Sequence, residues 1–435
     1  MMPAPSGPTL WRHQLALGLV RAAVHLPRRR APGGGPAKVQ LLLLNAWGMG
    51  GTIRATLDLA GRLAEHHEVE VISVVRRREQ PFFAFPPGVT VTALDDRRPG
   101  AGRSGALRRL LSSRPSALVH RADRRAGTCT LWTDLLLARR LRSLDDGVLI
   151  ATRPGLNLLA SAAARPGLVT IGQEHMHRAA HAPALRQAMA RHYPRLDAVV
   201  TLTERDRAAH AAALGGRGRV VCLPNAGPSV AGHPAPLTAP VVVAAGRLTA
   251  QKAFDRLIRA FAPVAARHPE WTLRIYGAGP QRPALERLIQ RRCLTGRVEL
   301  MGRTRNLPAV LAGASVFALS SRFEGMPLVI LEAFAAGVPV VSFDCPTGPG
   351  ELIANGRDGL LVPDGDVRAL TAALRILIED APRRRRMGAA AQARAALQGP
   401  AVITARWEAL LAALAPGRAD ERPATSGAPS RPLAR

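Results

Sequence analysis

Twice along the chain a short aliphatic run ends in a glycine-bearing turn and passes into an amphipathic stretch. That alternation restricts the fold to parallel sheets with crossover helices. "KVQLLLLNA" (38–46) leads through "WGMGGT" into "IRATLDLAGRLAEHH" and then "VEVISVV" (69–75), which together make one βαβ unit. Strand patterns at 147–152, 168–173, 197–203 and 219–225 extend it to one doubly wound domain, residues 38–225. Residues 226–240 are rich in Pro, Gly and Ala and read as a linker or hinge. The pattern then restarts. Strands are predicted at 241–248, 272–279, 298–302, 316–321, 338–344 and 359–363, with helices at 251–267, 281–291, 306–313 and 327–336, giving a second domain over 241–396. A C-terminal helical segment follows at 397–415, and a tail at 416–435 is predicted to be disordered. The fold class is α/β, two doubly wound Rossmann-like domains facing across a central cleft, which is where open parallel sheets bind ligands.

Sixty basic against 31 acidic residues give a formal charge of +29, which favours polyanions, nucleotides or an anionic bilayer. Only Lys38 and Lys252 are lysines, so the basicity is almost wholly arginine, as a high-G+C coding sequence also produces. Aromatic residues make up 4% and no nucleic-acid-binding module is recognisable, so no nucleic-acid partner is expected. Cys129, Cys222, Cys293 and Cys345 form neither a CxxC pair nor a disulfide framework. No apolar run reaches the roughly 20 residues that span a bilayer, and "LALGLVRAAV" (15–24) carries Arg21 in its middle, so a cytoplasmic protein is expected.

The basic segment 1–37 is predicted to be flexible at both ends. Within it Trp11, Leu15, Leu19, Ala22 and Leu26 recur at helical spacing near Arg12, Arg21 and Arg28–Arg30. Such a helix either lies on a membrane surface or packs on the body of the protein. Twelve arginines between Arg97 and Arg142, including Arg103, Arg108, Arg109, Arg124, Arg125 and Arg140, have few acids among them, and a face of that sign would steer an anionic acceptor or meet anionic lipid.

The chemistry concentrates in the second domain. "GRLTAQK" (246–252) joins a strand to a helix; Gly246 permits a tight turn, and Arg247 and Lys252 set cations beside a helix N-terminus, a combination suited to a diphosphate. "YGAGP" (276–280) puts Gly277 at another strand end, where backbone can approach a ligand closely. "EGMPLVILEA" (324–333) holds Glu324, Gly325 and Met326 before a helix whose first N–H groups, from Leu328 and Val329, suit an anion. Glu332 falls inside that otherwise apolar helix. Either it lies on an exposed face or it waits for a ligand, since a carboxylate without partners is strongly unfavourable in a core. A vicinal diol of a sugar would supply two donors to it.

These segments resemble the family-4 retaining glycosyltransferases of GT-B fold. "GRLTAQKAFDRLIRAF", "YGAGPQRPALERLI", "VELMGRTRNLPAVLAGASVFALSSRFEGMPLVILEAFAAGVPVV" and "GPGELIANGRDGLLVPDGD" follow that family's pattern in order across the second domain. The resemblance makes Glu324 and Glu332 the ends of a Glu-x7-Glu motif, with Glu332 on the ribose and Glu324 facing the donor sugar. Arg247 and Lys252 would hold the diphosphate, and the Arg303–Thr304 loop would line the base pocket. The one departure is Ala253, where a glycine usually follows the lysine. In the first domain "GMGGTIR" (48–54) sets Gly50 and Gly51 in the place of the family's Gly-Gly loop, and "VTIGQEHMH" (169–177) favours His175 over His177 as the histidine facing the sugar. "FDCPTGPGELI" (343–353) is similar to members acting on envelope polymers, teichoic-acid glucosyltransferases among them.

The implied reaction moves a hexose from a nucleotide diphosphate sugar to a hydroxyl, with retention. Glu324, His175, Arg247 and Lys252 would carry it, without a metal or other cofactor. Its partners would be the nucleotide-sugar donor, a glycan, glycolipid or polymer acceptor, and an anionic membrane as a peripheral contact. A catalytically silent nucleotide-sugar-binding protein and a basic polyanion-binding protein are the alternatives.

Overall fold

The computed structural model describes residues 7–25, 38–101, 105–230 and 234–415. The tail 416–435, Leu26, Arg28–Arg30 and Arg103 lie outside the described residues.

The first sheet contains β1 (Lys38–Leu43), β2 (Glu68–Arg76), β3 (Val89–Asp96), β4 (Gly147–Ala151), β5 (Leu168–Gln173), β6 (Ala198–Thr201) and β7 (Val220–Cys222). All are parallel, in the order β3-β2-β1-β4-β5-β6-β7. Side chains alternate across a strand, and β1 shows it: Val39, Leu41 and Leu43 enter one core while Leu42 enters the other. Around this sheet lie α1 (Gly7–Val24), α2 (Gly51–Leu63), α3 (Ala106–Ser112), α4 (Leu131–Ser143), α5 (Pro154–Ala163), α6 (Pro183–His192) and α7 (Glu204–Leu214). On one face α1, α4, α5 and α6 bury Leu17, Leu137, Leu159 and Leu185. On the other, α2 buries Leu57, Ala60 and Leu63.

Sequence patterning does not mark β3, whose side chains are mostly half-buried or exposed because it is the sheet edge. Helix α1 packs on the body of the protein, but not through the stripe read from the sequence. His13, Leu17, Val20 and Val24 are buried against the domain, while Trp11 (64% exposed), Leu15 (49%) and Leu19 (63%) point outward.

The second sheet contains β8 (Val241–Ala245), β9 (Thr272–Tyr276), β10 (Val298–Gly302), β11 (Val316–Leu319), β12 (Val340–Phe343) and β13 (Gly359–Val362), again all parallel, in the order β10-β9-β8-β11-β12-β13. Its helices are α8 (Phe254–Arg267), α9 (Arg282–Arg291), α10 (Leu307–Ala312), α11 (Leu328–Ala335), α12 (Pro349–Leu352), α13 (Val367–Glu379) and α14 (Ala381–Ala396). The core on one face joins α8, α9 and α13; that on the other joins α10, α11 and α14. Helix α8 starts three residues later than its sequence pattern because Ala253 takes a left-handed backbone, φ 47° and ψ 44°.

The segment between the domains is held at both ends. The Gly227 N–H donates to the Gln398 carbonyl at 2.9 Å, and Ala235 to Ala336 at 2.8 Å. The buried guanidinium of Arg384 donates to the Leu237 carbonyl at 3.1 Å, and Ala235 and Leu237 are buried in the second domain. The last helix, α15 (Pro400–Leu414), crosses back: Ile403, Trp407, Leu410 and Leu411 join the α2-side core of the first domain. The His67 ring lies 2.8 Å from Glu408 of this helix.

Candidate active site

Three strand-end turns of the second sheet are stitched together. The Gly246 N–H donates to the Tyr276 carbonyl at 2.9 Å, Leu248 to Ala278 at 3.1 Å, and Gly277 to Gly302 at 2.7 Å. Gly277 has φ 153°, and a Cβ there would lie 1.8 Å from the Gly246 carbonyl oxygen, so only glycine permits this approach. The turn after β8 is fixed to the loop before α11: the Arg322 N–H donates to the Gln251 carbonyl at 2.8 Å, and Ser320 Oγ to that of Lys252 at 2.9 Å.

From this platform Lys252 Nζ donates to Glu324 Oε1 at 2.6 Å, with both side chains largely buried. The Glu324 backbone is clamped from behind, its N–H donating to the Pro346 carbonyl at 2.8 Å and its carbonyl accepting from Thr347 at 3.2 Å. The "CPTG" segment thus supports the glutamate loop. Arg247 is exposed at the cleft. Helix α11 begins after Pro327 with no side-chain cap, so its first-turn N–H groups lack a capping side chain, and its first residues Leu328 and Val329 line the cavity.

Glu332 is 6% exposed, and it answers the puzzle of its own sequence context by pairing with Arg54 of α2, from the opposite domain. Burial pushes its carboxyl above the usual range and the Arg54 guanidinium pulls it back. Arg54 is the partner that sequence reading missed. It lies inside the quoted "GMGGTIR", yet only the facing of two domains makes it a partner of a residue 278 positions away.

Met49, Gly50 and Gly51 bring the first domain's glycine turn to the cleft, where Gly51 faces Leu328. His175, at the end of β5, lies on the same cavity; burial pushes its imidazole down to about 4, so the ring is neutral near pH 7. Its carbonyl oxygen would be 2.0 Å from a Cβ on Gly325, so the two lobes approach closely there and only glycine leaves room. His177 instead turns its edge to Phe323 and does not line this cavity.

The cavity between the lobes is about 750 Å³. It gathers every residue singled out from the sequence: Gly50, Gly51, His175, Gly246, Arg247, Lys252, Gly277, Arg303, Thr304, Glu324, Gly325, Met326, Leu328, Val329 and Glu332. Tyr276 and residues 303–308, the turn leading into α10 and its first residues, also line it.

The arginines of 97–142 do not form one unpaired face. Arg97 and Arg108 meet Asp95 at 2.5 and 2.9 Å, and Arg98 meets Asp96 at 2.8 Å. Arg140 pairs with Glu70, and Arg124 sits over the Phe323 ring. The neutralising acids come mainly from β2 and β3, a juxtaposition that linear spacing does not show.

Two parallel-sheet lobes with a basic, glycine-rich interlobe cleft define a protein of GT-B fold. The pneumococcal O-GlcNAc transferase GtfA, solved in complex with UDP and GlcNAc, superimposes with a TM-score of 0.68 over 87% of this chain and 99% of its own, at 15% identity. Residues 239–380 match the family model described as Glycosyl transferases group 1. The chain is 37% identical over 399 residues to an exopolysaccharide phosphotransferase of Streptomyces coelicolor, covering 88% of this chain and 42% of that protein. It is 34% identical over 171 residues to an amylovoran biosynthesis glycosyltransferase of Erwinia amylovora, covering 39% and 47%. The chain thus spans less than half the length of these two relatives.

Proposed function

We propose that this protein is a retaining glycosyltransferase of the family-4 type, moving a hexose from a nucleotide diphosphate sugar to a hydroxyl of an envelope glycan, glycolipid or polymer. The observation that carries this reading is the convergence of Arg247, Lys252 and the uncapped start of α11 on one cavity that also holds Glu324 and Glu332. In this reading Glu332 accepts from the ribose hydroxyls and Glu324 faces the hexose, as a Glu-x7-Glu pair. The 303–308 turn receives the base, and Gly50 and Gly51 let backbone approach the diphosphate.

The bond from the anomeric carbon to the diphosphate oxygen breaks while a bond to the acceptor oxygen forms on the same face. The acceptor proton passes to a phosphate oxygen of the departing diphosphate. Charge grows on that diphosphate, so cations and N–H dipoles fixed beforehand stabilise the transition state more than the ground state. Arg247 and Lys252 take the charge-neutralising role here, so no metal is required. Neutral His175 can donate or accept a hydrogen bond beside the sugar without adding charge.

The names of the two relatives, which concern an exopolysaccharide and amylovoran, support an extracellular-polymer acceptor. Among the described residues no helix is long and apolar enough to cross a membrane. The outward stripe of α1, flanked by Arg12 and Arg21, supports peripheral contact with an anionic bilayer on the cytoplasmic side. Salt-sensitive sedimentation with anionic but not zwitterionic vesicles is expected, and loss of binding in Trp11→Ser/Leu19→Ser would tie it to α1.

Thermal stabilisation by UDP-, GDP- or ADP-sugars tests the donor assignment, since a ligand that binds only the folded state raises apparent stability. Anomer-resolved NMR of the transfer product tests retention. Stabilisation without turnover would instead favour a silent nucleotide-sugar-binding protein.

A further inference from the structure

A second cavity of about 600 Å³ opens off the first on the side of the first domain, and the two share Met49–Thr52, His175, Met176 and Arg247. The shared residues form the junction where, on the reading above, the hexose sits. The second cavity is therefore the approach for the acceptor.

Its charge is one-sided at the rim. Arg77 and Arg78 follow β2, Arg124 and Arg125 come from the loop before α4, and all four are exposed along its edge. Arg77, Arg78 and Arg125 make no ion pair with any described residue. The two carboxylates lining the cavity, Asp123 and Glu174, lie buried on its floor and are already engaged. Asp123 pairs with Arg153 and accepts from the Arg125 and Gly155 N–H groups at 2.9 and 3.1 Å. Glu174 accepts from Tyr193 Oη and, at 2.8 Å, from Asn157 Nδ2. Neither is free to neutralise the rim.

We infer that the acceptor is anionic: it carries an oxyanion, phosphate or carboxylate, that the Arg77–Arg78 and Arg124–Arg125 pairs hold while its hydroxyl enters past His175. Guanidinium forks match both groups in bidentate fashion, and an acceptor lacking the charge leaves the rim unpaired. The arginine turns select this substrate class before the donor chemistry acts on it. The inference rests on the glycosyltransferase reading.

The test uses the full chain saturated with whichever of UDP, GDP or ADP stabilises it. Affinities for glycerol 3-phosphate, methyl β-glucuronoside and neutral methyl β-glucoside are compared by ligand-observed NMR. At least one anionic probe is expected to bind about tenfold or more tighter than the glucoside. Which one does so separates a phosphate from a uronate acceptor. Arg125→Ala and Arg78→Ala should each weaken that probe by about tenfold, whereas Arg139→Ala, which removes the same charge outside the cavity, should not. Unliganded melting temperatures verify folding of each variant. Equal binding of charged and neutral probes, or equal effects of Arg125→Ala and Arg139→Ala, overturns the inference and leaves the donor reading intact. Absence of any nucleotide response in the wild type overturns both.

Discussion

Glu332 illustrates how a single side chain can look misplaced in sequence and be fully accounted for in space. Its carboxylate sits in the apolar heart of α11, where burial raises its pKa and the Arg54 guanidinium from the facing lobe offsets part of that rise. If it accepts from two ribose hydroxyls as proposed, Glu332→Ala is expected to weaken nucleotide affinity about 10- to 100-fold, measured by calorimetry. Arg247 has the complementary part. On the proposed mechanism Arg247→Ala should lower turnover by about 10²–10³ with a smaller change in donor affinity, because its contribution would grow as the diphosphate departs. A parallel loss in affinity and no loss in turnover would assign it to ground-state binding instead. Every site residue named from the sequence lies on the cleft, because glycines, cations and acids at strand ends leave a local signature. Arg54 left none: an arginine on a helix reads the same whether it faces water or a glutamate in another domain.

Among the elements, the turns carry more of the design than the helices they connect. Ala253 holds a left-handed conformation that suits glycine, and it stands where the resembled family usually has one. Ala253→Gly is therefore expected to raise stability by about 0.5 to 1 kcal/mol, the relief of strain exceeding the added flexibility of the unfolded chain; chemical denaturation measures it. Gly325 is the opposite case. A methyl there would press within 2.0 Å of the His175 carbonyl oxygen, which is backbone and cannot rotate away. Gly325→Ala should hold the lobes apart, with a turnover loss of about 10²-fold and a larger radius in X-ray scattering. Buried strands such as β1, β4 and β8 were legible as continuous aliphatic runs. The edge strand β3 was not, since half-exposed alternation resembles a loop.

For the molecule as a whole, buried histidines set the response to acid. Burial, the leading cause at each, pushes His120, His192 and His210 down to about 4, as it does His175. Free imidazole titrates near 6.5, so between about pH 4 and 6.5 the unfolded chain binds protons that the fold refuses. The stability these groups contribute is complete above that window and is lost as pH falls through it. Asp206, pushed up to about 7 by burial, works the other way, being neutral in the fold and ionised in the unfolded chain across the same window. Burial also raises Asp58, Asp134, Glu332 and Asp358 in the sense of Asp206 and lowers His13 and His177 in the sense of the other histidines. The most strongly displaced groups therefore decide: four imidazoles against one carboxyl, each worth about 1.4 kcal/mol per pH unit at most. The melting temperature should fall measurably from pH 7 to pH 5, and a flat or rising profile would contradict this balance.

Helix α15 adds a temporal consequence. The layer of the first lobe that Trp407, Leu410 and Leu411 cover is otherwise built from residues between 39 and 223, so it is finished only by segments synthesised after the entire second lobe. On a ribosome, the first half emerges with a greasy flank that waits for nearly two hundred more residues before it is sealed. The order of translation and the order of closure are therefore opposed. A chaperone shielding α2 during synthesis, or a fragment ending at the hinge that precipitates when expressed alone, is the behaviour this connectivity foretells.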